Sequence, residues 1–327
     1  MAVTDGTPPP WESPEGFILG VTRRIWEERR IASLTRHYAR DIVVRSPASV
    51  VVGNAGVIAA TMATLAEFPD RELPGEDVIW CEAGPGAYLS SHRLICWATH
   101  LGSGAYGPAS GRRLRYRILA DCHVRGEVID DEWLVRDQGA VVRQMGLEPL
   151  DWTRSQIARE GGPERCVKPL TPRTDRPGPY GGRGNASEWG ARHADLLQRV
   201  MSADMAAIPA TYDRAAELSL PGHRRAHGHE GADRFWMSLR AAFPDADFTV
   251  HHVIGREDPG LPSRTALRWS LWGRHSGWGM FGEPSGAEVY VLGMSHAEWG
   301  PWGLRRDWTL LDETAIWRQI VLHKGDA

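Results

Sequence analysis

One succession of residues occurs twice in this chain, as residues 97–111 (WATHLGSGAYGPASG) and again as 272–286 (WGRHSGWGMFGEPSG). His100 matches His275, Gly102 matches Gly277, Gly104 matches Gly279, Gly107 matches Gly282 and Gly111 matches Gly286, each pair 175 residues apart. That interval is too long for a solenoid unit and is the length of a domain. The same offset relates Phe68-Pro69-Asp70 to Phe243-Pro244-Asp245, Glu132-Trp133 to Asp307-Trp308, Asp137 to Asp312, and Arg143-Gln144 to Arg318-Gln319. A constant spacing from Gly53 to Gln144 leaves no net insertion between the copies. Upstream the register slips by one, with Tyr38 best matched to Tyr212. The chain reads as two tandem copies of one domain, which suits its 327 residues.

In the first copy, Phe17, Ile18, Val21, Ile25 and Trp26 recur at three- and four-residue spacing, with Arg23, Arg24, Glu27 and Glu28 between them. This predicts an amphipathic helix. A second short helix is expected over 31–38, a short strand at Ile42-Val43-Val44, and a third helix from Gly53-Asn54 to about Ala66. Pro69 ends it, because a proline ring disfavours the α region for the residue before it. The period then becomes strand-like, and 78–80, 88–100, 113–125, 128–136 and 140–145 read as strands with a hairpin at Arg125-Gly126-Glu127. Three helices followed by an antiparallel meander define an α+β domain, with helices over one face of a curved sheet. Residues 1–16, carrying Pro8-Pro9-Pro10 and Pro14, read as an extended arm. Residues 151–185 are rich in Pro, Gly and Arg and read as a linker packed across the surface. The two domains then fall at 17–150 and 186–327.

Composition narrows the partners. A net charge of −3 gives no basic footprint, which argues against nucleic acid. No apolar run approaches the roughly 18 residues of a membrane span, and no charged-then-apolar leader opens the sequence. The four cysteines form no CxxC pair and no zinc-spaced cluster, so a cytoplasmic protein with reduced thiols is expected. His223, His227 and His229 invite a metal reading. Arg224-Arg225 would repel a cation there, however, and the first copy lacks these histidines. Fifteen tryptophans against six phenylalanines point either to Trp-rich cores or to indoles lining an apolar cavity.

The second copy runs His227-Gly228-His229-Glu230-Gly231, then Phe243-Pro244-Asp245, Arg268-Trp269, His275-Ser276-Gly277 and Pro284-Ser285-Gly286. The first keeps Phe68-Pro69-Asp70, His100-Leu101-Gly102, Ser110-Gly111 and Ile129-Asp130-Asp131-Glu132-Trp133 with Asp137. This order resembles the SnoaL-like polyketide cyclases of the nuclear-transport-factor-2-like superfamily, over roughly 17–147 and 190–320. The resemblance implies a cone, a curved sheet wrapped by three helices around an apolar pocket. It also implies acid/base chemistry by a pocket carboxylate, often with a histidine, and without metal or cofactor. The expected partner is a small, largely apolar molecule bearing a carbonyl or ester, and the expected chemistry is its cyclisation, isomerisation or elimination. The alternative is a non-catalytic binding or assembly module of the same fold, with one or both pockets inactive. Family members dimerise through their sheets, so the copies are expected to pack as a pseudo-dimer, with further homodimerisation open.

The family's carboxylate position falls on Asp131, and its match in the second copy is Arg306, beside Asp307. On the preceding strand the first copy carries Asp121 and His123, and the second carries His296 and Glu298. A strand period of two puts each of these pairs on one sheet face, where a carboxylate and an imidazole can share a proton. Asp121, His123, Asp131, His296 and Glu298 are therefore the catalytic candidates. Asp131 is expected to share a face with Ile129 and Trp133. His100 and His275, at strand ends beside glycines, read either as pocket-mouth residues or as rings satisfying turn backbone. Trp133 and Trp308 read as core anchors or pocket walls, and Arg306 as a site for an anionic group or a partner of Asp307.

Overall fold

The computed structural model describes residues 11–325. In the first copy the order is α1 (Pro14–Trp26), a 3-10 turn, α2 (Leu34–His37), β1 (Tyr38–Ser46), β2 (Ser49–Val52) and α3 (Asn54–Glu67). Then come β3 (Gly75–Glu82), β4 (Ala87–Thr99), β5 (Arg113–Arg125), β6 (Val128–Arg136) and α4 (Gln138–Gln144). A connecting helix, α5 (Pro149–Arg159), has no counterpart in the repeat. The second copy restates the plan as α6 (Glu188–Met201), α7 (Ala207–Thr211), β7 (Tyr212–Leu220), β8 (Arg224–His227) and α8 (Gly228–Ala242). It closes with β9 (Asp247–Arg256), β10 (Ser263–Arg274), β11 (Glu288–Gly300), β12 (Gly303–Leu311) and α9 (Glu313–Lys324). Each copy holds one six-stranded sheet, β2-β1-β6-β5-β4-β3 and β8-β7-β12-β11-β10-β9. The class is α+β in two tandem halves.

Several expectations shift. The extended arm overlaps α1, which starts at Pro14 because the Ser13 side chain caps the Gly16 N–H at 3.1 Å; residues 1–10 lie outside the described part. The expected strand 140–145 is helix α4. Its β-branched Val141-Val142 pair suggested a strand, but the Asp137 carboxylate accepts from the Ala140 N–H and starts a helix. The one-residue slip lies in the turn after the first strand, where Pro47-Ala48 in one copy faces Pro221-Gly222-His223 in the other. His223 is the added residue and takes positive φ (56°).

The repeated glycine signature is a strand-end loop clamped on the third helix of each copy. Gly102 and Gly277 sit so close to that helix end that a Cβ would meet the Ala66 and Ala241 carbonyl oxygens at 1.9 and 2.0 Å.

The two sheets pack against each other within the chain. Leu119 and Val135 of the first sheet join Leu292, Met294 and Leu310 of the second in one buried cluster. The connector is part of this packing. Its Leu170 enters the same cluster, Tyr180 hydrogen-bonds His252 at 2.7 Å, and Asp175 meets Arg45 at 2.6 Å. Both faces of each sheet are consequently covered, one by its own helices and one by the other copy.

Candidate functional site

The strand alternation behaves as the sequence implies, but the shared face is the one between the sheets. Asp121 receives a 2.8 Å hydrogen bond from Arg268 of the other copy, and His123 meets Asp130 at 2.5 Å. His296 is wholly buried, 2.8 Å from the Ser91 hydroxyl across the interface. Glu298 pairs with half-exposed Arg306 at 3.0 Å. Asp131 takes Arg45 at 2.5 Å and the Tyr180 backbone N–H at 3.1 Å. Arg268 lies 3.6 Å over the Trp133 ring, and Arg93 lies 3.6 Å over Trp308. Placement of these residues in a cone interior is thus corrected: Asp121 and His296 bond across the inter-sheet contact, His123 and Asp131 meet Tyr180 of the connector, and Glu298 pairs within its own copy.

The error has two physical sources. Burial of both sheet faces makes the inward parity ambiguous, and a one-residue change of parity exchanges the faces for every side chain on a strand. On β6 a bulge at Asp130 also breaks the alternation, because Ile129 pairs with Val124 while Asp131 pairs with His123. Asp131 therefore shares a face with Trp133 but not with Ile129. The same bulge recurs at Arg305 in the second copy. It places Asp307 inside its cone, on the face opposite Arg306, so the pairing of those two does not form.

His100 and His275 organise their loops. The His100 carbonyl accepts from the Ser110 and Gly111 N–H groups, and the His275 carbonyl from those of Ser285 and Gly286. The rings contact the Ser110 and Ser285 hydroxyls at 2.9 and 3.0 Å. Both histidines sit against the FPD phenylalanines, Phe68 and Phe243.

The first cone is hollow. A cavity of about 360 Å³ opens between α1, α3 and the sheet, within the size range of small-molecule sites. Its wall is mostly apolar, with Ile18, Val21, Leu34, Leu94, Ile118 and Ile129 among its residues. The ionisable groups facing it are Glu132, His92, Arg71, Arg136, Tyr38 and Cys122, and Asp312 reaches it from the second copy. Glu132 is the β6 carboxylate that the bulge turns inward. Burial pushes its carboxyl up to about 7, against the Tyr38 hydroxyl beside it, and its Oε2 has no hydrogen-bond partner. Burial also lowers His92 to about 4, so the ring is neutral near pH 7, and its Nδ1 is unpartnered. Cys122 is held well above the usual thiol range by burial, which leaves it protonated and unreactive. Asp312 caps α9 through the Thr314 and Ala315 N–H groups and is pushed up to about 6, first by burial.

The second cone is filled. Trp236 and Trp269, both wholly buried, occupy its interior with Phe235 and Leu239. At the 175-residue offset these positions are Thr61, Leu94, Ala60 and Thr64, all of which line the cavity of the first copy. The carboxylate matching Glu132 is Asp307, and it is fully engaged. Tyr212 donates to it at 2.5 Å and Thr309 at 2.8 Å, while Trp236 donates to the Tyr212 hydroxyl at 3.1 Å. Glu132 stood next to the candidates in sequence; the signal that finds it is the bulge, which no residue type announces. Among the described residues, no group of three or more His, Cys, Asp or Glu side chains could hold a metal ion. No helix among them is long and apolar enough to cross a membrane.

Family comparison agrees with a tandem pair of α+β domains. The model of the SnoaL-like polyketide cyclases matches residues 18–145 and 191–320. The chain belongs to the SnoaL-like polyketide cyclase family, with two copies of the family domain. Among solved structures it is similar to IdmH of Streptomyces antibioticus, at 20% identity over 42% of this chain and 100% of that one, with a TM-score of 0.37. A SnoaL-like polyketide cyclase of Agrobacterium tumefaciens is 20% identical over 41% of this chain and 99% of that one, with a TM-score of 0.33. TsrD of Streptomyces laurentii is 18% identical over 40% and 93%, with a TM-score of 0.34. No protein of curated function is detectably similar to the chain.

Proposed function

We propose that the first cone is the working site and that Glu132 is its acid/base, acting on a carbonyl compound with an apolar body. The observation that carries this reading is the unpartnered Oε2 of a buried carboxyl facing the cavity. A carboxyl near 7 is half ionised at neutral pH, where a general base must be both available and strong enough to act. The Glu132 carboxylate takes the proton from the carbon next to the substrate carbonyl, leaving an enolate. That carbon then bonds to a second carbonyl carbon of the same molecule, and the Glu132 proton passes to the new alkoxide. Protonation of the enolate at another carbon gives isomerisation instead. His92 offers a neutral ring nitrogen for a substrate oxygen. The second cone serves as a built-in partner that covers the sheet and supplies Asp312.

Proton–deuterium exchange beside the carbonyl of aryl methyl ketones in D2O, followed by NMR, tests this without knowledge of the natural substrate. Wild-type protein is expected to accelerate exchange, and Glu132→Gln to lose the acceleration by about 10²- to 10⁴-fold. Equal exchange by both proteins would remove Glu132 from the mechanism.

A further inference from the structure

The cavity differs from the filled cone in charge as well as in volume. Arg71 lines it and is wholly buried, yet its Nε, Nη1 and Nη2 all lack a hydrogen-bond partner. Its guanidinium lies 4.1 Å from the Trp26 ring centroid and 6.0 Å from that of Tyr116. The groups acting most strongly on its charge are Tyr116, Cys96 and Tyr106, with no carboxylate among them. A ring face compensates a desolvated cation only in part, and a buried guanidinium with no counter-ion is costly. Each of the two other basic side chains that line the cavity has one unpartnered nitrogen, the Arg136 Nε and the His92 Nδ1.

The repeat supplies an internal control. At the 175-residue offset, Arg71 corresponds to Ala246, His92 to Leu267 and Arg136 to Leu311, all three buried in the second copy. The fold therefore closes without these basic groups, and in the first copy they surround the hollow. The acids on that hollow do not answer Arg71. Glu132 stands beside Tyr38, and Asp312 is engaged in capping α9.

We infer that the ligand of the first cone is an organic acid, an apolar body ending in a carboxylate that pairs with Arg71. A carboxylate suits the guanidinium because it can accept two parallel N–H bonds from the planar fork. This narrows the substrate class of the proposed site to acids, in place of neutral esters. It rests on the cavity being the ligand site and does not depend on chemistry at Glu132.

Calorimetric titration of the full-length protein with 2-naphthoate and with its uncharged isostere 2-naphthamide tests the inference. Wild-type protein is expected to bind the acid about 10- to 100-fold more tightly than the amide, the range of a buried charged hydrogen bond. Arg71→Met should abolish that preference while the amide still binds. Arg71→Lys, which keeps the charge if the methionine variant fails to fold, should retain part of it. Equal affinity for acid and amide in wild type, no measurable binding of the acid at millimolar concentration, or an unchanged preference in Arg71→Met would each overturn the inference. If Glu132→Gln leaves ketone exchange unaltered while the acid preference follows Arg71, the catalytic reading fails and this one stands.

Discussion

The two cones share a sheet order, a bulge, a carboxylate on β6 or β12 and a tyrosine at the start of β1 or β7, yet one is packed solid and the other is empty. The difference comes down to a few positions. Trp236 and Trp269 fill the space that Thr61 and Leu94 leave open. Filling the space also engages the carboxylate, since Trp236 holds the Tyr212 hydroxyl that donates to Asp307. Duplication separates two demands that a single cone must reconcile. A hollow interior forfeits packing energy, and the solid copy, joined to it through the buried sheet contact, can carry the stability that the hollow one lacks. The largest expected effect tests this division. Trp236→Ala should cost about 3–5 kcal/mol of unfolding free energy in urea denaturation. Thr61→Ala, at the matching place in the hollow cone, should cost under about 1 kcal/mol. Similar losses for the two would show that the cones are packed alike.

The two inward carboxylates sharpen the comparison through pH. Glu132 titrates near 7 in the folded protein, above its ordinary 4.5. Between those values the folded state holds a proton that the unfolded chain has released, so stability falls as pH rises from about 4.5 to about 7 and is level above. Glu132→Gln removes that slope. Near pH 8 the variant should be more stable than wild type by up to about 3 kcal/mol, with the gap closing below about pH 4.5. Burial raises Asp307 too, to about 6, so Asp307→Asn removes a shorter slope of the same sign, between about 3.8 and about 6, but it also disrupts a hydrogen-bonded group. Tyr212 and Thr309 both donate to that carboxylate, and an amide nitrogen cannot accept from either, so a loss of about 1–3 kcal/mol offsets that gain and leaves the variant less stabilised near pH 8 than Glu132→Gln. Denaturation curves at several pH values measure both. An Asp307→Asn protein stabilised as much as Glu132→Gln, or a destabilised Glu132→Gln, at about pH 8 would contradict the assignment of one carboxylate to structure and the other to the cavity.

The repeat, the α+β class and the strands 113–125 and 128–136 were legible in the sequence, because each rests on periodicity or on residue identity at fixed spacing. The facing of the strands was not. Alternation told that Asp121 travels with His123 and His296 with Glu298, but hydrophobicity could not say which face looked inward when both are buried. The bulge at Asp130 was equally silent, and it alone decides between Asp131 and Glu132. Helix α4 was missed because an aspartate cap three residues before the helix interior outweighed two valines. The hollow itself was present in the alignment of the copies, as Thr61 opposite Trp236 and Arg71 opposite Ala246. Comparing the volumes and charges of matched positions, and not only the identities, would have located it.

The smallest expected effect is also the most specific. Thr61→Trp places in α3 the residue that α8 already accommodates at the matching position, so the backbone frame is known to accept an indole there. Because the side chain enters existing space instead of a packed core, the stability change should stay within about 1 kcal/mol, below the usual cost of overpacking. Binding of 2-naphthoate should nevertheless be lost, together with the ketone exchange attributed to Glu132, since the indole occupies the ligand's volume. A near-ultraviolet circular dichroism spectrum and a urea midpoint like those of wild type, combined with loss of both activities, would assign them to this cavity. Retained binding in a folded Thr61→Trp protein would move the ligand site out of the first cone and remove the functional meaning of the difference between the copies.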